Sequence, residues 1–177
     1  MLKNLIYNTS LQKVLYFLLS HPNDKYFDRE IARLSKVSKA SANFALRDLT
    51  SSKLISREKK GRMYFYYVDI NNPVVRQLKI AQNLVFIHKL IETVKPHALR
   101  IVLYGSSYRG DNSSESDIDL YILTRTPKKI KDIIYKNSSR RMIQYLIMTP
   151  LESAKLKKDN PTFAKEISNG LILYESK

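Results

Sequence analysis

Residues 101–123 constrain this chain more than any other stretch. Ile101-Val102-Leu103-Tyr104 is an apolar, partly β-branched run that stops at Gly105-Ser106, which predicts a buried strand feeding a tight turn. After Tyr108-Arg109-Gly110 and a polar stretch comes Ser116-Asp117-Ile118-Asp119-Leu120-Tyr121-Ile122-Leu123, which predicts a second strand over 117–123. Strand period two puts both carboxylates on one face, with Ile118, Leu120 and Ile122 on the other. Two like charges side by side are unfavourable unless a cation sits between them. Mg²⁺ suits the place, because it takes carboxylate oxygens and shares its remaining positions with phosphates. Gly105-Ser106 at a helix start would turn backbone N–H groups toward those phosphates. A merely solvated acidic loop from Asp111 to Asp119 does not explain two aspartates inside an apolar run. An EF-hand loop needs glycine where Ile122 stands.

Gly105-Ser106, then ten residues, then Asp117-Ile118-Asp119, resembles the signature of the DNA-polymerase-β-type nucleotidyltransferases. Arg109-Gly110 within the loop and Ser116 before the first aspartate match the minimal members of that superfamily, as does the close Phe163…Ile167…Asn169-Gly170-Leu171-Ile172-Leu173-Tyr174. The resemblance implies that Asp117 and Asp119 are the catalytic metal ligands and that Gly105 and Ser106 take the triphosphate. Arg109 would neutralise charge on the leaving pyrophosphate. The implied cofactor is Mg²⁺ with a nucleoside triphosphate, ATP being the expected one. One departure bears on turnover. Active members supply a third carboxylate from a neighbouring strand, and the corresponding stretch here, Arg141–Met148, contains no Asp or Glu. Gln144 is its polar residue and cannot act as a base. Asp132 and Glu152 fall on flanking predicted helices.

The first seventy residues follow a different pattern. Leu11, Val14, Leu15 and Leu18 share a helical face over 10–20, with Ser10 as the expected N-cap and His21-Pro22-Asn23 as the stop. A second helix is predicted from Phe27 to Leu34, and a third from Lys39 to Ser51 carrying Phe44, Leu46 and Leu49. A strand over 54–57, a turn over 58–62 and a returning strand over 63–68 follow. Three helices and then a hairpin with a basic tip is the order of a winged helix-turn-helix. Arg29-Glu30-Ile31-Ala32, Ser38 and Lys53-Leu54-Ile55 before a basic wing resemble the MarR- and ArsR-like regulators. That resemblance implies a DNA-binding face of Ser38, Lys39, Ser41, Asn43 and Arg47, with Arg57, Lys59, Lys60 and Arg62 on phosphates. A winged helix also serves elsewhere as a protein-docking module with a solvated basic wing.

Residues 74–94 read as one long helix with Val75, Leu78, Leu84, Ile87, His88 and Ile91 spaced for burial, His88 as a packed core residue, and Pro96 as the stop. This helix is the expected connector and homodimer element. Beyond the two strands of the site, a helix is predicted over 127–137, a strand over 141–148, helices over 150–158 and 161–168, and a strand over 171–174. The expected fold class is α+β: a winged helix-turn-helix (1–72), a connecting helix (73–96), and a nucleotidyltransferase-fold mixed sheet with flanking helices (97–177).

The formal net charge of +15 suits a phosphate-bearing partner, double-stranded DNA or nucleotide. The excess is spread, with 13 Lys/Arg against 6 Asp/Glu in residues 1–70 and 18 against 10 in 71–177. The absence of cysteine excludes disulfides and thiolate metal sites. The apolar run Val14–Leu19 is too short for a membrane span, so no membrane partner and a cytoplasmic location are expected. Function divides into two readings. One is a DNA-binding transcriptional regulator with a nucleotide-binding, weakly transferring domain. The other is an antitoxin-like nucleotidyltransferase that adds AMP to a partner toxin protein.

Overall fold

The computed structural model describes residues 2–22, 24–113, 116–136 and 143–176. They form two compact units, Met1–Val85 and Phe86–Lys177, whose boundary falls inside a long helix.

In the first unit a short helix α1 (Leu2–Ile6) precedes α2 (Ser10–Ser20). The N-cap of α2 is Thr9, not Ser10: Gln12 N donates to Thr9 Oγ1 at 3.3 Å, and Thr9 N donates to Gln12 Oε1 at 3.0 Å. This capping box needs a glutamine at N3, and only Thr9 has one at that offset. A two-residue strand β1 (Tyr26–Phe27) leads into α3 (Asp28–Leu34) and α4 (Lys39–Ser51), followed by β2 (Ser56–Lys60) and β3 (Met63–Tyr67). The three strands pair antiparallel in the order β1-β3-β2. Pairing runs to Lys60↔Met63, so the turn is Gly61-Arg62 and the strand is longer than expected. Gly61 at φ +61° supplies the left-handed backbone that a two-residue hairpin loop requires.

Val14, Leu18, Ile31, Leu46, Leu49, Ile55, Val68 and Val75 make up most of this unit's core. The last of these belongs to α5 (Pro73–Val94), whose first half is held to α2 by polar contacts. Lys79, 2% exposed, donates to Leu19 O at 2.5 Å, placing a cation at the C-terminal end of α2, where the helix dipole favours it. Gln82 Nε2 donates to Tyr16 O and Ser20 Oγ.

In the second unit, α5 buries Ile87, Leu90, Ile91 and Val94. His88 is exposed, contrary to its predicted core position. The helical face that buries Ile87, Ile91 and Val94 leaves the residue after Ile87 pointing outward. A four-stranded mixed sheet follows, built from β4 (Arg100–Tyr104), β5 (Ile118–Leu123), β6 (Ile143–Met148) and β7 (Leu171–Glu175) in the order β6-β5-β4-β7. The β5–β6 pair is parallel and the others antiparallel. Helices α6 (Gly105–Arg109), α7 (Pro127–Lys136), α8 (Pro150–Asp159) and α9 (Pro161–Ser168) complete it. Arg141 and Asn137, expected to begin a strand and end a helix, lie outside the described residues.

Ile118, Leu120 and Ile122 are buried on one face of β5. The opposite face carries Val102, Tyr104, Tyr121 and Leu123, packed with Leu156 of α8 and Phe163 and Ile167 of α9. Strand alternation puts Asp119 on this second face, the one served by α8 and α9. Among the described residues no helix is long and apolar enough to cross a membrane.

Candidate functional site

The β4 strand ends at Tyr104, opposite Asp119, and the chain turns at once into α6. Gly105 sits at φ +67°, and a Cβ there would collide with Asp119 Oδ2 and lie 3.2 Å from its Cγ. The carboxylate therefore rests against the Gly105 backbone, and a side chain at that position would push it aside. Strand β5 begins at Ile118, which pairs with Ile143 of β6, so Asp117 stands just before the strand rather than within it. Ser107 fixes the aspartate's backbone, its hydroxyl donating to Asp117 O at 3.1 Å. Ser116 is held by Ser113, whose N–H donates to Ser116 Oγ at 3.0 Å. Ser106 is half-buried at the second position of α6.

Charge is crowded here. Burial pushes the Asp119 carboxyl up from its ordinary range, Asp117 and Glu166 push it further, and Arg109 offsets part of this. The Tyr104 hydroxyl is pushed up to about 12, by burial first and then by Asp119 and Glu166. Arg109 is not a free cation: its Nε lies 3.2 Å from Asp111 Oδ2 and a terminal nitrogen lies 3.6 Å from Glu166 Oε1. Glu166 escaped the sequence reading. No local signal marks it: Phe163 and Ile167 pack on the Asp119 face of the sheet, and only that tertiary placement brings Glu166, beside them on α9, to the site.

The parallel register sets Gln144 directly beside Asp119, with its side chain exposed. An amide thus occupies the cross-strand position expected of a third carboxylate. Glu152 does not replace it. Its carboxylate accepts from the N–H and hydroxyl of Thr149 at 2.7 Å, capping α8. Asp132 is exposed on α7. Among the described residues no group of three or more His, Cys, Asp or Glu side chains is arranged to hold a metal ion. Asp117 and Asp119 fit a Mg²⁺ that draws its other ligands from phosphate and water, the usual pattern for that ion. A separate cavity of about 110 Å³, lined by Arg100, Val102, Tyr121, Leu123, Lys157 and Ile167 among others, includes neither aspartate.

In the first unit, Lys39, Asn43 and Arg47 are exposed on α4, and Arg57, Lys59, Lys60 and Arg62 are exposed along the hairpin. Ser38 and Ser41 are engaged with each other. Ser41 N donates to Ser38 Oγ at 3.1 Å, and the two hydroxyls are 2.8 Å apart, so the pair caps α4. The Arg57 guanidinium stands 4.6 Å from the Tyr64 ring centroid. Lys60 Nζ is 3.1 Å from Glu58. The Glu58 carboxyl is held below its ordinary range by hydrogen bonds from Lys25 and Lys60.

No curated protein matches the chain. Three solved structures share partial likeness, each with a TM-score of 0.36. A mutant of ZitR from Lactococcus lactis is 18% identical over 46% of this chain and 60% of that one, so less than two thirds of that protein is spanned. A possible transcriptional regulator from Methanosarcina mazei is 12% identical over 54% and 84%. A provisionally assigned nucleotidyltransferase from Sulfolobus solfataricus is 14% identical over 58% and 86%. At that TM-score these likenesses fix neither fold nor activity. The sequence profile described as "Polymerase beta, Nucleotidyltransferase" matches residues 74–177, more than half the chain and all of the strands around Asp117 and Asp119. The chain belongs to the polymerase-beta nucleotidyltransferase family.

Proposed function

We propose that the chain is a DNA-binding transcriptional regulator whose nucleotidyltransferase domain binds a nucleoside triphosphate with Mg²⁺ and transfers the nucleotidyl group slowly. The observation that carries the nucleotide half is the Asp119 carboxylate lying against the Gly105 backbone, crowded by Asp117. Two negative groups at a Gly-Ser turn are relieved by a cation that itself binds phosphate. Asp117 and Asp119 would hold the ion, which when bound polarises the phosphoryl oxygens. Gly105 and Ser106 would receive the triphosphate. Arg109 stabilises charge on the departing pyrophosphate once it leaves Asp111 and Glu166.

The DNA half is supported by the order α2, α3, α4 and hairpin, with exposed cations on α4 and on β2 and its turn. We read residues 1–72 as a winged helix-turn-helix, with α4 in the major groove and Arg57, Lys59, Lys60 and Arg62 on phosphates. One α4 reads one half-site, so a homodimer is the expected DNA-bound form. Residues 73–96 connect this domain to a minimal nucleotidyltransferase domain at 97–177.

A second reading is transfer of AMP to a partner protein, for which Glu166, paired with Arg109, supplies a carboxylate besides Asp117 that acts on Asp119. In that reaction an acceptor oxygen attacks the α-phosphorus, the bond to pyrophosphate breaks, and the acceptor's proton passes to a base. Gln144 cannot take that proton, whereas Glu166 is a carboxylate that acts electrostatically on Asp119. Incubation of the chain with labelled ATP, CTP, GTP or UTP and Mg²⁺ tests the nucleotide half, scoring binding and self-modification together; transfer to a partner protein predicts label from ATP on a second protein added to the same mixture. Regulation by binding predicts retention of nucleotide with little covalent label, and a Gln144→Asp variant labels faster. Absence of any bound or transferred nucleotide refutes the nucleotide half.

A further inference from the structure

Helix α4 carries a side chain that its own packing does not explain. Phe44 is 58% exposed, while Ala42, Ala45, Leu46 and Leu49 of the same helix are buried. Phe44 is an apolar residue of this helix like Leu46 and Leu49, but the helical period turns it outward. A single exposed hydrophobic residue is ordinary and assigns nothing alone. Its surroundings are more specific. Ala40, Asn43, Phe44 and Arg47 are all exposed, and their spacing of three and four sets them in one stripe along α4. The Arg47 guanidinium stands 5.1 Å from the Phe44 ring centroid, with its Nε 3.4 Å from Asp48 Oδ1.

The stripe thus offers a carboxamide, a guanidinium, a methyl group and an aromatic ring. A face that only gripped phosphates would use cations and donors. This set is the one that reads base edges in the major groove. An Asn amide pairs with adenine, an Arg fork with guanine, and an apolar group such as Phe packs on the thymine methyl. Of the other side chains expected to reach the DNA near the start of α4, Ser38 and Ser41 have their hydroxyls engaged in the helix cap, and Lys39 is exposed as a cation for phosphate.

We propose that Phe44 is a specificity-determining residue that packs against the C5-methyl group of thymine in duplex DNA, with Asn43 and Arg47 on the neighbouring base edges. The inference rests on the reading of residues 1–72 as a DNA-binding domain. It also sets DNA above RNA as the ligand, because RNA lacks this methyl group and its major groove does not admit side chains.

The test uses the full chain. A duplex is first selected from a random pool, and each thymine of the selected site is then replaced singly by uracil. Removing one methyl from an apolar contact corresponds to about a fourfold loss of affinity. The wild type should lose about that factor at one thymine per half-site. Phe44→Ala should bind the thymine site more weakly and treat thymine and uracil alike. The perturbation lies in the DNA, and the ring is exposed, so the variant's unfolding temperature checks that the fold is intact. If no thymine is sensitive in the wild type, or if Phe44→Ala discriminates as the wild type does, the proposal is overturned while DNA binding stands. If the chain selects no duplex, the DNA-binding reading falls and the proposal falls with it.

Discussion

Replacing Gly105 by alanine is the sharpest probe of how the site is built. Two costs are combined at that position. The backbone is at φ +67°, where a side chain costs about 1–2 kcal/mol. In addition, the new Cβ collides with Asp119 Oδ2, and forcing a methyl group into a filled space typically costs about 1–3 kcal/mol more. Gly61 supplies the control, because it has φ +61° and nothing within 4 Å of an added Cβ. Gly61→Ala should therefore cost only the backbone part. Gly105→Ala should cost about 2–5 kcal/mol in total, lowering the unfolding temperature of its unit by about 10 °C or more. Measured against Asp119→Ala alone, a Gly105→Ala, Asp119→Ala double variant should lose only the backbone part, a loss like that of Gly61→Ala. Calorimetry that follows each unit's transition measures all of these. Equal losses at Gly61 and Gly105, or no recovery in the double variant, would refute the placement of Asp119 against the turn.

Asp119→Asn should raise the unfolding temperature at pH 7 without Mg²⁺. The folded carboxyl titrates above its ordinary value, so the folded chain holds the proton more tightly and stability falls as pH rises through that window. The gain should vanish below the ordinary aspartate range, about 3.9, and a pH series of melts would contradict this if the two proteins differed only in acid. Thr9→Ala should cost about 0.5–2 kcal/mol through the loss of the α2 cap, while Ser10→Ala should cost little; a denaturant titration showing the reverse would restore Ser10 as the cap. Alanine at Lys59, Lys60 and Arg62 together should weaken binding to every duplex by a similar factor. It should also flatten the salt dependence, by about 0.9 in the log–log slope for each phosphate no longer neutralised. A gel shift unchanged by the triple variant would remove the hairpin from the DNA interface.

Asp117, Asp119 and Gly105 stand out in the sequence because each carries a local signal. The aspartates border and interrupt an apolar run, and the glycine ends one. The β4 and β5 strands were legible for the same reason. What escaped depended on tertiary placement. Glu166 acts on Asp119 only because α9 packs across the same sheet face, and nothing in residues 161–168 reports which face that is. Strand β1 has two residues and exists because β3 offers it an edge. Lys79 and Gln82 look like solvent residues in the sequence, yet the carbonyls at the end of α2 hold them inside. His88 erred in the opposite direction. Its place among apolar residues suggested burial, and the true helical phase, set by the neighbouring core residues, turns it outward. The hairpin turn was placed too early because Glu58-Lys59-Lys60 reads as polar loop. It is strand because its backbone pairs with Met63–Phe65 of β3, and Glu58 lies between Lys25 and Lys60.

The central claim is that Asp117, Asp119 and the Gly105-Ser106 turn hold a nucleoside triphosphate through Mg²⁺. Titration calorimetry of ATP into the full chain, with Mg²⁺ and with EDTA, tests it on wild type and on Asp119→Asn. Saturable binding by the wild type that needs Mg²⁺ and is abolished in Asp119→Asn is the predicted result. Binding of equal strength in EDTA, or an Asp119→Asn variant that binds as the wild type does, would contradict it.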